Sequence, residues 1–294
     1  MSSEPPADVE GLWADLIARL RTTTVVVKPL ADGCSAGVVP LSSASELRVY
    51  LDYLSAKADR IPPGTFRRLA KGQIVELPIG TSELIFEEFI DTDDIEIVER
   101  AEGRAATGTE GEAARGASGE EPAYLKWGCH RDTGWIEVTV GVLGSIKAMR
   151  SLSPSLTIAR EGVLSVEEKF MGGTGVNITP PPSPPLGRVE PGAVIRTKKL
   201  IGRVADLLEI CGYARIDAFM NRRSGDIIVI EANTLPGLTP STVLFHQALQ
   251  EQPPLFPRDL LETIINLGLS ANIPTAPDGS VSASDSTDIR DAQG

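Results

Sequence analysis

Polar and apolar positions alternate in two neighbouring segments between Arg215 and Asn233. In ARIDAFM, Arg215, Asp217 and Phe219 alternate with Ile216, Ala218 and Met220, and in IIVIEAN, Val229, Glu231 and Asn233 fall on one face. Both segments read as strands. The intervening NRRSGD carries a Ser-Gly turn signal, so the pair is predicted as an antiparallel hairpin centred near Ser224. Symmetry about that centre places Asp217 opposite Glu231 and Arg215 opposite Asn233, close enough for each pair to share a ligand.

Other segments follow the same logic. The β-branched run TTTVVVKPL leads through ADGCSAGVV into a second apolar stretch, predicting a hairpin with a glycine-rich tip. ELIFEEFI, residues 83–90, reads as a largely buried strand. WIEVTVGVL alternates cleanly, with Ile136, Val138, Val140 and Val142 on one face and Glu137 with Thr139 on the other. From Arg196, apolar positions at Leu200, Ile201, Val204, Leu207, Leu208 and Cys211 recur at helical spacing and stop at Gly212, predicting an amphipathic helix on the sheet. Leu244, Leu249, Leu260, Leu261, Ile264, Ile265 and Leu267 predict two closing helices with these residues in the core. VEEKFMGGTG, residues 166–175, reads either as a mobile glycine-rich loop that closes over a site or as an ordinary surface loop.

Composition adds boundaries. The chain has 294 residues, 41% of them hydrophobic, enough for one large or two small domains. Residues 100–123 are rich in Gly, Ala, Glu and Ser and predict a disordered acidic insertion; residues 271–294 have the same character. The expected division is therefore 1–22, 23–99, 100–123, 124–270 and 271–294. PPPSPPLG, residues 180–187, reads as a stiff polyproline connector. A net charge of −12 argues against a nucleic-acid surface. No apolar run reaches a membrane span and no signal peptide is legible, which predicts a cytoplasmic protein. Three widely spaced cysteines and two isolated histidines indicate neither a disulfide framework nor a zinc site.

The candidate chemistry gathers on the hairpin. Asp217, Glu231 and Asn233 are hard oxygen donors without nearby Cys or His, a set that favours magnesium over zinc. The alternative is an exposed sheet face with ordinary charges. Lys28, with Gly33, Cys34, Ser35 and Gly37 at the glycine-rich tip, forms either a phosphate cradle or a plain hairpin with a surface lysine; the spacing is not that of Walker A. The strand end at Glu87, Glu88, Phe89 and Ile90 offers backbone groups and a carboxylate to a planar adenine, and Glu137 offers a carboxylate to ribose; both also read as solvated charges.

Taken in order, VVVKP, DGCSAGV, LIFEEFI, IEVTV, EEKF, RIDAF and IEANTLPGLTPST resemble the ATP-grasp carboxylate–amine ligases, most closely the D-alanine–D-alanine ligase family. The resemblance implies an α+β fold, an antiparallel sheet flanked by helices, with two subdomains enclosing ATP. It assigns Lys28 to the nucleotide phosphates, Glu87 to Ile90 to the adenine hinge, Glu137 to ribose and Lys169 to the γ-phosphate. Asp217, Glu231 and Asn233 become ligands of Mg2+ or Mn2+. Arg215 and the Gly237 amide become oxyanion donors, and Thr242 holds the second substrate's carboxylate. Cys34 stands where the family usually has Ser, and Phe170 where it has a loop Tyr, which loosens the expected closure over substrate.

The implied reaction joins two small amino acids through an acyl phosphate, forming ADP and phosphate, as in making a peptidoglycan precursor. The family's N-terminal domain is expected to be absent, since only a short segment precedes Lys28. A missing domain or partner chain, a homodimer, a non-catalytic ATP- and magnesium-binding protein and a ligase for other small acids and amines all stay open.

Overall fold

The computed structural model describes residues 8–30, 35–70, 72–78, 80, 83–98, 124–128, 131–158, 176–185, 187–240 and 242–271. Gly33, Cys34, Lys169 and Phe170, together with Cys129, His130 and the expected insertion 100–123, lie outside the described residues.

The β-branched run forms β1 (Val25–Pro29), which pairs antiparallel with β2 (Val39–Leu41) on one side and β5 (Leu84–Glu88) on the other. Helix α1 (Val9–Leu20) and helix α2 (Ala44–Ser55) close this three-stranded sheet. Asp8 caps the first of them by accepting from the Gly11 amide at 2.8 Å. Val25, Val27, Val39, Leu41, Leu47 and Tyr50 are fully buried between the sheet and the helices. Residues 1–22 carried no predicted element, yet Val9 and Trp13 of α1 belong to this core. Short strands β3 (Arg60–Ile61) and β4 (Val75–Glu76) pair beside it.

The chain then passes through β6 (Ile95–Val98) and β7 (Tyr124–Trp127), which pair with each other, into a six-stranded antiparallel sheet. Its long strand β8 (Trp135–Ser145) pairs with β9 (Ala148–Ser151), β10 (Ser155–Ile158) and β12 (Gly212–Asn221). The edges are β11 (Val176–Ile178) and β13 (Ile227–Asn233). One face presents Ile136, Val138, Val140 and Val142 with Ile216, Ala218 and Met220, all buried under helix α3 (Pro191–Leu207). Each large aliphatic side chain there contributes about 1.5–3 kcal/mol by leaving water. On the other face Leu143 and Leu152 pack with Leu244, Ala248 and Leu260 of α4 (Val243–Leu249) and α5 (Pro257–Ala271).

Several expectations are corrected. Helix α3 begins at Pro191 and ends at Leu207, so Leu207 and Leu208 are 80% and 55% exposed and Cys211 is also exposed. Pro191 at the first turn starts the helix where its missing N–H costs nothing. In α5 only part of the expected apolar set is core: Leu260 is buried, whereas Leu261 and Ile265 face out. The proline-rich connector is no extended rod, because the Gly187 amide bonds the Ser183 carbonyl and the Val189 amide bonds the Pro182 carbonyl, folding it back. Among the described residues no helix is long and apolar enough to cross a membrane.

Candidate active site

The hairpin register is the one that symmetry predicts: Arg215 opposes Asn233 and Asp217 opposes Glu231. A β-bulge produces it. Ala218 pairs with Val229 and Met220 with Ile227, one step out of the register at Asp217, so Ile230 is the extra residue. The bulge also moves Val229 opposite Ala218, on the other face from Glu231, correcting the expected alternation.

The four polar side chains meet. Arg215 donates Nε to Asp217 Oδ1 and a terminal nitrogen to Asp217 Oδ2, both at 2.9 Å, a bidentate pair. The Asn233 amide nitrogen reaches Asp217 Oδ2 at 3.3 Å and Glu231 Oε1 at 3.2 Å. Thr139, opposite Asp217 on β8, donates its hydroxyl to Asp217 Oδ1 at 2.6 Å in a buried bond. Two carboxylates therefore converge on one amide group with one arginine beside them, leaving a surplus negative charge. That donor set suits a hard cation, with Asn233 turned to present its oxygen. Among the described residues no group of three or more His, Cys, Asp or Glu converges, so two carboxylates and a carboxamide are what the protein itself offers here.

A second group lies on the three-stranded sheet. Lys28 Nζ pairs with Glu87 Oε2 at 2.7 Å, Lys28 being the more buried partner. Strand β5 ends at Glu88, which is exposed, and the Phe89 amide donates to the Thr24 carbonyl, so that amide is engaged within the sheet. The Arg68 guanidinium stacks 4.9 Å from the Phe89 ring centroid. Beyond Cys34, Ser35 and Gly37 both adopt positive φ. Gly37 is required: a Cβ there would meet Pro29 at 2.9 Å and the Tyr50 hydroxyl at 3.2 Å. Tyr50 donates to the Gly37 carbonyl at 2.8 Å, and burial pushes its hydroxyl pKa well up.

Residues 133–266 match the sequence family described as D-ala D-ala ligase C-terminus. This segment belongs to that family. It contains Glu137, Thr139, Arg215, Asp217, Glu231, Asn233, Gly237 and Thr242. The D-alanine–D-alanine ligase A of Bradyrhizobium diazoefficiens is 29% identical over 134 residues, covering 45% of this chain and 34% of that protein. The D-alanine–D-alanine ligase of Carboxydothermus hydrogenoformans is 31% identical over 135 residues, 46% of this chain and 40% of that protein.

In fold the likeness reaches further. The D-alanine–D-alanine ligase of Coxiella burnetii superposes with a TM-score of 0.50 at 16% identity, over 91% of this chain and 51% of that one. The VanG D-Ala:D-Ser ligase of Enterococcus faecalis gives 0.51 at 18%, over 90% and 57%. The chain has the ATP-grasp fold of these ligases while spanning little more than half their length.

In the ligase C-terminal segment, Glu137 is half-buried opposite Phe219 on the same strand pair as Asp217. Gly237 lies in the exit loop after β13, where a Cβ would meet nothing within 4 Å. Thr242 is the N-cap residue of α4 and makes no side-chain capping bond. Two polar residues at this face were given no role from the sequence. Thr139 was visible as a polar position beside Glu137, but its bond to Asp217 depends on the β8–β12 register. Gln247, wholly buried in α4, carried no sequence signal at all.

Proposed function

We propose that this protein is an ATP-dependent carboxylate–amine ligase of the D-alanine–D-alanine type, forming ADP and phosphate. The observation that carries the reading is the opposition of Arg215 to Asn233 and of Asp217 to Glu231 on one sheet face, within the segment that matches the ligase family.

In this reading Asp217, Glu231 and Asn233 would hold Mg2+ or Mn2+. The ion supplies charge neutralisation on the transferred phosphoryl group. Lys28 leaves Glu87 to meet the phosphates, the segment from Glu87 to Ile90 with Glu88 and Phe89 borders adenine, and Glu137 accepts from ribose. The same reading assigns Gly33, Cys34 and Ser35 to the nucleotide phosphates, Lys169 to the γ-phosphate and Phe170 to the substrate, of which only Ser35 is among the described residues. The first amino acid's carboxylate is phosphorylated, and the amine of the second attacks the acyl phosphate. Arg215 and the Gly237 amide stabilise the tetrahedral oxyanion, and Thr242 holds the second carboxylate. Asp217 sets the Arg215 guanidinium in place by its bidentate contact.

A second reading, an ATP- and metal-binding protein without turnover, is favoured by the internal ion pairs Lys28–Glu87 and Arg215–Asp217, which satisfy these groups within the protein. ADP release from ATP, Mg2+ and D-alanine by the purified chain separates the two. Turnover that depends on D-alanine supports the ligase. Measurable ATP binding without ADP release overturns it in favour of the second reading.

A further inference from the structure

Gln247 is fully buried, which is uncommon for a carboxamide, and its side-chain bonds run to two different strands. Its Oε1 accepts the Gly141 amide of β8 at 2.8 Å. Its Nε2 donates to the Thr139 carbonyl of β8 at 2.8 Å and to the Ser155 hydroxyl of β10 at 2.9 Å. The amide thus bridges two backbone groups of β8 that flank Val140, an interaction that fixes α4 along the strand direction as well as against the sheet. Gly141 makes room for it: a Cβ there would stand 2.8 Å from Gln247 Oε1 and 2.5 Å from Leu244. Apolar packing alone would leave α4 free to slide, because dispersion contacts are not directional. Two hydrogen bonds of opposite polarity to one strand are directional.

The elements so joined carry different parts of the site. Helix α4 opens at Thr242. Strand β8 carries Thr139, whose hydroxyl bonds Asp217. Strand β10 is tied at Ser155 to Gln247, and the Ser155 and Thr179 hydroxyls lie 2.5 Å apart.

We propose that Gln247 is a positioning residue that sets Thr242, and hence the second substrate's carboxylate, relative to the face that bears Asp217. This rests on the ligase reading above. The side-chain bonds of Gln247 go to Gly141, Thr139 and Ser155 and not to Asp217, Glu231 or Asn233, so its loss displaces the second-substrate site and spares the metal and nucleotide site.

The test is steady-state kinetics of the full chain with ATP, Mg2+ and D-alanine, alongside Mn2+ binding followed by electron paramagnetic resonance. Gln247→Met keeps the length and removes both bonds to β8; Ser155→Ala removes only one acceptor and keeps the strand bridge, so it stands in if the first variant fails to fold. Gln247→Met is expected to raise the KM for D-alanine by about ten- to a hundredfold, as loosened support of a site does, with the KM for ATP and the Mn2+ affinity unchanged. Ser155→Ala is expected to shift the same parameter in the same direction by less. Equal rises in both KM values, an unchanged KM for D-alanine in a folded Gln247→Met, or, where that variant does not fold, an unchanged KM in Ser155→Ala overturns the proposal. The wild-type control separates the failures: no turnover by wild type sinks the ligase reading and this inference with it, whereas wild-type turnover with an unselective variant sinks the inference alone.

Discussion

The two ends of the β12–β13 hairpin each hold an arginine among carboxylates, and they are built to opposite purposes. At the tip, Arg222 is 6% exposed and its nitrogens all find acceptors: Nε bonds Asp93 at 2.6 Å, one terminal nitrogen bonds the Arg188 carbonyl at 3.3 Å and the other bonds Asp132. Asp93 is itself satisfied by the Gly134 amide at 2.8 Å and the Thr133 hydroxyl at 3.1 Å, and Arg223 adds a further positive charge at Asp132. Each carboxylate there meets an arginine, and the Arg222–Asp93 pair ties the segment after β5 to the hairpin turn. At the base, Arg215 answers Asp217 but Glu231 is met by the neutral amide of Asn233, so one negative charge remains. A buried ion pair by itself marks a fastening; a carboxylate surplus on a half-open face is what the proposed cation site rests on.

The largest effect that breaks this comparison is expected at the tip. Arg222→Met leaves Asp93 buried without its partner and should cost about 3–5 kcal/mol of stability, read as a lowered midpoint in urea unfolding. If stability is unchanged, the fastening role is wrong. At the base the expected effect is on ligand rather than fold: Glu231→Gln should weaken Mn2+ binding by about ten- to a hundredfold in a titration, with the unfolding midpoint little moved. Equal Mn2+ affinity in this variant would remove the distinction between the two ends.

The smallest effect is in pH. Burial acts to raise the Asp132 carboxyl, but the hydrogen bond from Arg222 and the charges of Arg222, Arg223 and Arg188 outweigh it and hold the group below the usual carboxylate range. A carboxyl lowered in the folded state stabilises fully above its unfolded value of about 3.9 and loses that contribution as pH falls through the folded value. Asp132→Asn should therefore flatten the acid limb of a stability–pH curve below about pH 4 and leave the slope at neutral pH unchanged.

Much of the hairpin's polar face was legible because strands write their faces into sequence with a period of two. Arg215, Asp217, Glu231 and Asn233 could be placed opposite one another from alternation and a turn signal. The prediction took the hairpin as regular, whereas the bulge at Ile230 is what restores the register at Asp217, and Val229 shows the cost of not seeing it. The helix boundaries were less legible. Leu207, Leu208, Leu261 and Ile265 fit an apolar repeat and yet face outward, since periodicity reports which residues share a side and not how far the partner surface extends.

The strand segments, the polar face of the hairpin and the hard-oxygen character of its side chains were all readable from the chain alone, because they are local or short-range properties of neighbouring residues. Only the tertiary structure decided that Thr139 grips Asp217 from a strand 78 residues away, that Gln247 locks α4 to β8 across 106, and that Arg222 is spent on Asp93 across 129. The physical reason is that a hydrogen bond or ion pair is set by distance and angle in space, and no pattern along the chain specifies which distant donor will arrive at a given acceptor.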